Sequence, residues 1–524
     1  MQPCELVLTR FIDHAAKWHP DREIVTATQD STFRTGYAEL QVRAGRLSSA
    51  LTSLGVDHGD RVATLLWNNQ AHMECLYACL GLGAVYHTLN PRLTVDQMAR
   101  MVDLADDRII AVEQDQLDVA LALRQRCASV AHIILFDEGR AGPLDERADH
   151  DGVRRHSALL AAHPAPAPRR DLDEHSPAGL CFTSGTTSDP KGVMYTHRSN
   201  YLHTLTILQP DILGLSRRDC VLAVVPMFHA NGWGLPFAAP AVGAKLVLPG
   251  RWTSGAALAR LIREEAVTIA FGVPTVWLAL LDHLDDAGGD LPALERIVLG
   301  GAAVSQALVD RLERRLGVVV QTSWGMTELS PLGTMTPPCD PDRAATQVGR
   351  PSIGVDLCLF DENGQPLAAQ RGHEGRLKAK GPSVIDRYFG EDEPAVDGEG
   401  WFDTGDLAVL DDEGRLTITG RAKDLIKSGG EWINPVQIEQ VVGTMAGIDL
   451  AAVVGKPDAT WGERPVLVIK ECDAGAVTDA AILQALAQTV PKWWLPADIV
   501  RLEQFPYAST GKIDKHRLRA LLAA

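Results

Sequence analysis

The stretch Leu180–His197, "LCFTSGTTSDPKGVMYTH", sets small hydroxylated residues between two apolar runs, and its reading orders the rest of the chain. Small residues let backbone N–H groups turn inward. Around Gly185, the hydroxyls of Thr183, Ser184, Thr186 and Thr187 add donors suited to phosphate oxygens, and Lys191 adds a positive charge. "GLCF" before the loop predicts a buried strand and "SNYLHTLTIL" after it a helix, the setting in which many α/β proteins hold nucleotides. It is not a Walker A loop, because the lysine is preceded by Pro190 and followed by Gly192. Taken alone, the stretch also suits a plain hydrophilic surface loop.

The surroundings narrow the choice. A chain of 524 residues exceeds one compact core, so two or more domains are expected. Its 46% hydrophobic and 22% charged residues are ordinary for a globular protein. A formal charge of −17 excludes a general nucleic-acid or anionic-membrane binder, which would need a cationic surface. The nine cysteines, from Cys4 to Cys472, form no C-x-x-C pair and make a poor disulfide framework, which fits a reducing cytoplasm. Cys75 and Cys79, four apart on an expected helix, read as core thiols rather than zinc ligands. The N-terminal "MQPCELVLTRFIDHAAKWHPDREIV" predicts an amphipathic helix and not a signal peptide. The most apolar region, about Val62 to Leu89, is broken by Asn68, Asn69, Gln70, His72 and Glu74, so no transmembrane segment is expected.

From about Phe33 to Ile269, short apolar runs alternate with helical patterns. "DRVATLL" precedes "QAHMECLYACLGLGA", and "AKLVLPG" precedes "SGAALARLIREEA", which predicts parallel α/β layers. Ala161 to Gly179 reads as an Ala/Pro-rich connector. After Gln347, "VDLCLFDENGQPL", "EGRLKAKGPSV" and "LAVLDDEGRLTITGR" alternate with turn signals, as in a small antiparallel sheet or barrel. From Lys423 the pattern is mixed again, enough for a small α+β domain.

Seven clusters follow in order: "TSGTTSDPKG" (183–192), "PMFHANGW" (226–233), "GGA" (300–302), "WGMTE" (324–328), "WFDTGD" (401–406), "GRAKDLIKSGGEWI" (420–433) and "STGKIDK" (509–515). Motif by motif they resemble the adenylate-forming superfamily of acyl-CoA synthetases, nonribosomal adenylation domains and beetle luciferases. "GRAKDLIKSGGEWINP" and "PKWWLP" are most similar to medium- to long-chain fatty acyl-CoA synthetases and methylmercaptopropionate-CoA ligases. The resemblance implies an α/β fold with a β-barrel-like subdomain. A large N-terminal domain would span 1–422, with its β-rich part at about 347–420, and a small mobile domain would span 423–524, hinged at Lys423. It also implies an AMP-forming acid–CoA ligase using ATP, Mg²⁺ and coenzyme A. Its partners would be small molecules, with no nucleic acid and with a homodimer as an allowed assembly.

A carboxylate is a poor acyl donor, so ATP first converts it to an acyl-AMP with loss of pyrophosphate. Two anions must meet, which calls for fixed donors and cations. By resemblance, Thr327 contacts the α-phosphate and Glu328 holds Mg²⁺. Trp324, standing where tyrosine is more usual, offers adenine a flat face, within "SWGM" (Ser323, Trp324, Gly325, Met326). Gly300, Gly301 and Ala302 let the base approach backbone. Asp406, assisted by Arg421, accepts the ribose hydroxyls, and Lys512 bridges the substrate carboxylate and the α-phosphate. After a rotation at Lys423, the segment Lys427, Ser428, Gly429, Gly430, Glu431 and Trp432 would face pantetheine. Two positions depart from the family pattern: Ser188 replaces a usual glycine, and Tyr507–Ala508 replace a basic-polar pair.

"MFHANGW" holds no acid to pair with a substrate ammonium, which disfavours a free amino acid. His229 resembles an aromatic gate, with a satisfied core histidine as the alternative. Gly232, Trp233 and Gly234, together with Gly301 and Gly325, are expected along the acyl pocket, and "FGVPTVW" (271–277) on another wall. An apolar tunnel reads chains by burial, at about 0.8 kcal/mol per CH₂. Trp233 and Trp277 would shorten it. Medium- to long-chain fatty acids are preferred, with short-chain, methylmercaptopropionate and aryl acids as alternatives. An amide synthetase or carrier-protein loading enzyme differs only in the acceptor. A non-catalytic nucleotide-binding regulator is disfavoured by the presence of Lys512, Glu328 and Asp406.

Overall fold

The computed structural model describes residues 2–137, 152–183, 190–340, 343–429, 431–472, 477–507 and 513–523. Two large sheets carry the N-terminal part. The seven-stranded sheet runs Val153–Arg155, His132–Phe136, Asp107–Glu113, Arg61–Leu65, Val85–Thr88, Pro177–Thr183, Lys191–Thr196, parallel except for the last pair. In the nine-stranded sheet the parallel centre comprises Val319–Gly325, Arg296–Leu299, Ile269–Gly272, Cys220–Ala223, Lys245–Leu248 and Glu23–Ala27, with antiparallel strands at both ends. Helix–strand alternation from residue 33 onward thus yields the layered α/β architecture that it predicts.

The helix Gln70–Leu82 shows why its polar start does not keep it at the surface. Met73, Leu76, Tyr77 and Leu80 are buried, and so are Cys75 and Cys79, both free thiols. Asn69 caps it by accepting from the His72 N–H, and Gly83 ends it in the left-handed conformation. The expected amphipathic N-terminal helix is Thr9–Trp18, which buries Phe11, Ile12 and Ala15. No helix among the described residues is long and apolar enough to cross a membrane.

Two expectations are corrected. The hydroxyl-rich loop joins two antiparallel strands rather than a strand and a helix: Pro177–Thr183 pairs with Lys191–Thr196, Thr183 opposite Lys191. Val193 and Tyr195 are buried in the period of a strand, and the helix His197–Ile207 starts only after Thr196 caps it. Trp277, expected to shorten a tunnel, lies on the helix Pro274–Ala287. It is fully buried with Leu258, Ile262 and Leu281 on the far face of the nine-stranded sheet from the His229 segment.

The β-rich part is a four-stranded antiparallel sheet, Asp356–Phe360, Glu374–Lys380, Phe402–Leu410 and Leu416–Arg421. A short turn, Ala422–Asp424, leads into the small C-terminal domain. Its sheet contains Glu431–Ile433, Ile426–Ser428, Gly462–Glu471, Ile448–Asp458 and Asp498–Arg501, packed with the helices Pro435–Gly443 and Asp479–Thr489. Asn434 bridges the boundary. Its Oδ1 accepts from Val436 N at 3.1 Å, capping a helix, while Nδ2 donates to the carbonyl of Thr419 at 2.8 Å.

Candidate active site

Strand Val319–Gly325 delivers Ser323, Trp324 and Gly325, and Met326 leads to the turn Thr327–Leu329. Trp324 packs in a core with Tyr195, Leu329, Leu359 and Leu377. Its indole N–H donates to Asp406 Oδ2 at 2.8 Å, and Arg421 Nε lies 2.6 Å from Asp406 Oδ1. The register makes Asp406 and Arg421 direct partners on adjacent strands. A carboxylate only 2% exposed is thus held by one neutral and one charged donor. The indole N–H thus fixes the acid's orientation.

Glu328 lies nearby, 7% exposed, with the Tyr388 hydroxyl donating to Oε1 at 2.9 Å. Burial raises its carboxyl above the usual range, while the charges of Arg421 and Lys191 pull it back. Lys191 Nζ sits 4.4 Å from the Tyr388 ring centroid and 3.9 Å from Glu391 Oε1. Burial, with the Glu328 charge, pushes the Tyr388 phenol up, so it stays a donor. Tyr195 steadies the turn by donating its hydroxyl to the Thr327 carbonyl at 2.8 Å. Among the described residues no cluster of three or more His, Cys, Asp or Glu could hold a metal. One carboxylate is a donor set that suits Mg²⁺ completing its shell with phosphate oxygens and water.

The second wall begins at Gly300. A Cβ there would lie 2.5 Å from Ser323 Oγ and 2.9 Å from Trp233 Cη2, so the Trp233 indole lies against this backbone. A Cβ added at Gly301 would stand 3.7 Å from Cζ2 of the same ring, and Ala302 follows, half-buried. Trp233 belongs to a run of five positive φ values: Ala230 39°, Asn231 43°, Gly232 62°, Trp233 56° and Gly234 75°. Three of these are not glycine, and each costs about 1–2 kcal/mol in left-handed geometry. Such strain persists only where neighbours over-determine it. His229, half-buried and extended, leads into the turn. Gly325 answers a backbone constraint, since a Cβ would fall 2.2 Å from the Pro331 carbonyl oxygen, to which Met326 N donates.

The proposed pantetheine segment is a hairpin of the small domain. Lys427, Glu431 and Trp432 are exposed and Ser428 is buried. Gly429 N donates to the Trp461 carbonyl at 2.8 Å, Lys427 N donates to Glu463 Oε2 at 3.2 Å, and Lys427 Nζ lies 5.3 Å from the Trp432 ring. Lys423 is exposed in the boundary turn. Ser184, Gly185, Thr186, Thr187, Gly430 and Lys512 lie outside the described residues. The structure therefore gathers Lys191, Trp324, Thr327, Glu328, Asp406 and Arg421 at one corner. Beside it stand Trp233, Gly300, Gly301 and Ser323. Tyr388 and Tyr195 escaped the sequence reading: Tyr388 sits in "IDRYFGED", which reads as an ordinary loop, and Tyr195 follows the hydroxyl loop in a strand missed there.

A family model described as AMP-binding enzyme matches residues 12–389, and one described as AMP-binding enzyme C-terminal domain matches residues 437–512. A 3-methylmercaptopropionyl-CoA ligase of Ruegeria lacuscaerulensis is 38% identical over 526 residues, covering 98% of this chain and 97% of the relative. A medium-chain-fatty-acid–CoA ligase of Ectopseudomonas oleovorans is 38% identical, covering 98% and 96%. Among solved structures, ATP-bound MatB from Rhodopseudomonas palustris superposes with a TM-score of 0.86 at 24% identity, covering 99% of each chain.

Proposed function

Given that this chain belongs to the AMP-binding enzyme family and is an AMP-forming acyl-CoA ligase, we propose that the corner around Asp406 and Glu328 is its adenylation site and that its acid is a medium- to long-chain fatty acid. One observation carries the site assignment: Trp324 and Arg421 hold a buried Asp406 from both sides, beside Glu328. In this reading Asp406 accepts the ribose hydroxyls. Glu328 holds Mg²⁺, which would neutralise phosphate charge. Lys191 meets the departing pyrophosphate and Lys512 the α-phosphate.

In the first half-reaction a substrate carboxylate oxygen attacks the α-phosphorus and the bond to pyrophosphate breaks. In the second, the CoA thiolate attacks the acyl carbon and AMP leaves. His229, Gly232 and Trp233 border the acyl chain, with the Trp233 indole against Gly300 limiting its depth. The relatives at 38% identity named for medium-chain fatty acids and 3-methylmercaptopropionate support an aliphatic acid. Lys423 is the proposed hinge between 1–422 and 423–524, and the Lys427–Trp432 hairpin the proposed pantetheine contact. A cytoplasmic setting belongs to the same reading, supported by nine free cysteines.

Pyrophosphate release, measured over straight-chain acids of increasing length and over aryl acids with and without CoA, tests this. Turnover peaking at medium to long chains is expected. Preference for aryl acids, or release without thioester formation, would overturn the substrate assignment.

A further inference from the structure

The strained turn at 230–234 is held from outside. Strands Arg61–Leu65, Val85–Thr88 and Pro177–Thr183 are parallel neighbours in the seven-stranded sheet, and each brings a residue to the segment that carries His229 and Trp233. Asn68, three residues past the first strand and 3% exposed, uses its whole amide on that segment. Its Nδ2 donates to the carbonyls of Ala223 at 2.9 Å and Val225 at 2.6 Å, and its Oδ1 accepts from Met227 N at 2.7 Å. Thr88 ends the second strand, and its Oγ1 accepts from Asn231 Nδ2 at 3.3 Å, both side chains being buried. Cys181 on the third strand lies against the backbone N–H groups of Ala230 and Asn231. Met227 in turn packs under Gly232, with Cγ 3.3 Å from where a Cβ would stand.

We infer that Asn68, Thr88 and Asn231 are positioning residues for acid recognition: they impose the left-handed turn that sets the Trp233 indole against Gly300. None needs to touch substrate. Asn231 suits its place doubly, since asparagine tolerates positive φ better than other side chains and its amide reaches Thr88. Asn68 fixes where the segment leaves the nine-stranded sheet, and Thr88 fixes the twist of the turn. The third strand, which carries Cys181, also pairs with Lys191–Thr196, so the sheet that holds the turn also carries the hairpin bearing Lys191. The inference rests on the reading of Trp233 as an acyl wall.

Its test is a KM comparison over an acid panel, with ATP as the internal control. Thr88→Val keeps the shape and removes the hydroxyl. It should raise KM for the preferred acid roughly tenfold, the scale of one lost buried hydrogen bond, and leave KM for ATP within about twofold. Thr88→Ser should restore the acid KM. Asn231→Gly, which keeps access to positive φ but loses the amide, should shift chain-length preference in the same direction, and Asn68→Asp should do so more strongly. A purely structural role would lower the thermal midpoint and the active fraction without moving acid KM, and that result overturns the inference. If Thr88→Val folds poorly, Asn231→Gly decides in the same way. Trp233→Ala, assayed in parallel, separates the two ideas. If it leaves the acid profile unchanged, the acyl-wall reading fails and takes the inference with it. If it alters the profile while Thr88→Val and Asn231→Gly do not, the inference alone fails.

Discussion

The corner around Asp406 and the hairpin around Trp432 differ in how finished they are. Trp324 and Arg421 hold Asp406, and Tyr388 holds Glu328, all through side-chain bonds within the large domain. The hairpin Lys427–Trp432 is tied to Glu463 and Trp461 of its own domain, and it presents exposed Lys427, Glu431 and Trp432. The first set is fixed within the large domain, while the second is carried on the small domain, which also holds Lys512. On the proposed assignment a two-step ligase would profit, because one small domain could bring Lys512 to adenylation first and the hairpin to the thiol afterwards.

The largest expected effect challenges that division directly. Lys512→Ala should cut acyl-AMP formation by about 10²–10³-fold while sparing thioester formation from supplied acyl-AMP, read by pyrophosphate exchange and thioester assay. Equal loss in both half-reactions would erase the contrast. Next, Asp406→Ala removes a buried carboxylate from Arg421 and Trp324, and KM for ATP should rise by about 10–100-fold in both ATP-dependent assays. Lys423→Pro should slow the thioester step about tenfold more than adenylation, and unchanged turnover would remove the hinge. Tyr388→Phe deletes the hydroxyl on Glu328 and should move the Mg²⁺ concentration for half-maximal activity by about threefold.

A separate effect concerns stability rather than turnover. Burial holds His203 down at about 3, its Nε2 accepting from Leu332 N at 3.3 Å. A base whose folded value lies below its unfolded value of 6.5 contributes stability that is complete above that pH. The contribution is lost as pH falls toward 3, at up to about 1.4 kcal/mol per unit. His203→Gln keeps an acceptor without the titration and should flatten the unfolding free energy against pH below 6.5.

Much of this architecture was legible in the sequence because period and punctuation survive in it. "DRVATLL" and "QAHMECLYACLGLGA" became Arg61–Leu65 and Gln70–Leu82, and the turn-rich stretch after Gln347 became four antiparallel strands. The strand Lys191–Thr196 was missed because its lysine and glycine start reads as a continuation of the hydroxyl loop, leaving only Val193 and Tyr195 to show alternation. In the site, Trp324 and Asp406 were both named, but the bond between them spans 82 residues and belongs to tertiary packing. Nothing in the five letters "ANGWG" told that all five φ angles would be positive. That sign is fixed by distant partners such as Thr88.

Asn434 belongs to both domains at once, since it caps the first helix of the small one and donates to Thr419 of the large one. Any swing pivoting at Lys423 has to cut the second of those bonds while keeping the first. In the proposed rotation the amide would work as a latch whose release adds to the barrier. A serine at this position would preserve the cap and leave the latch open, favouring earlier departure of the small domain from the arrangement described here.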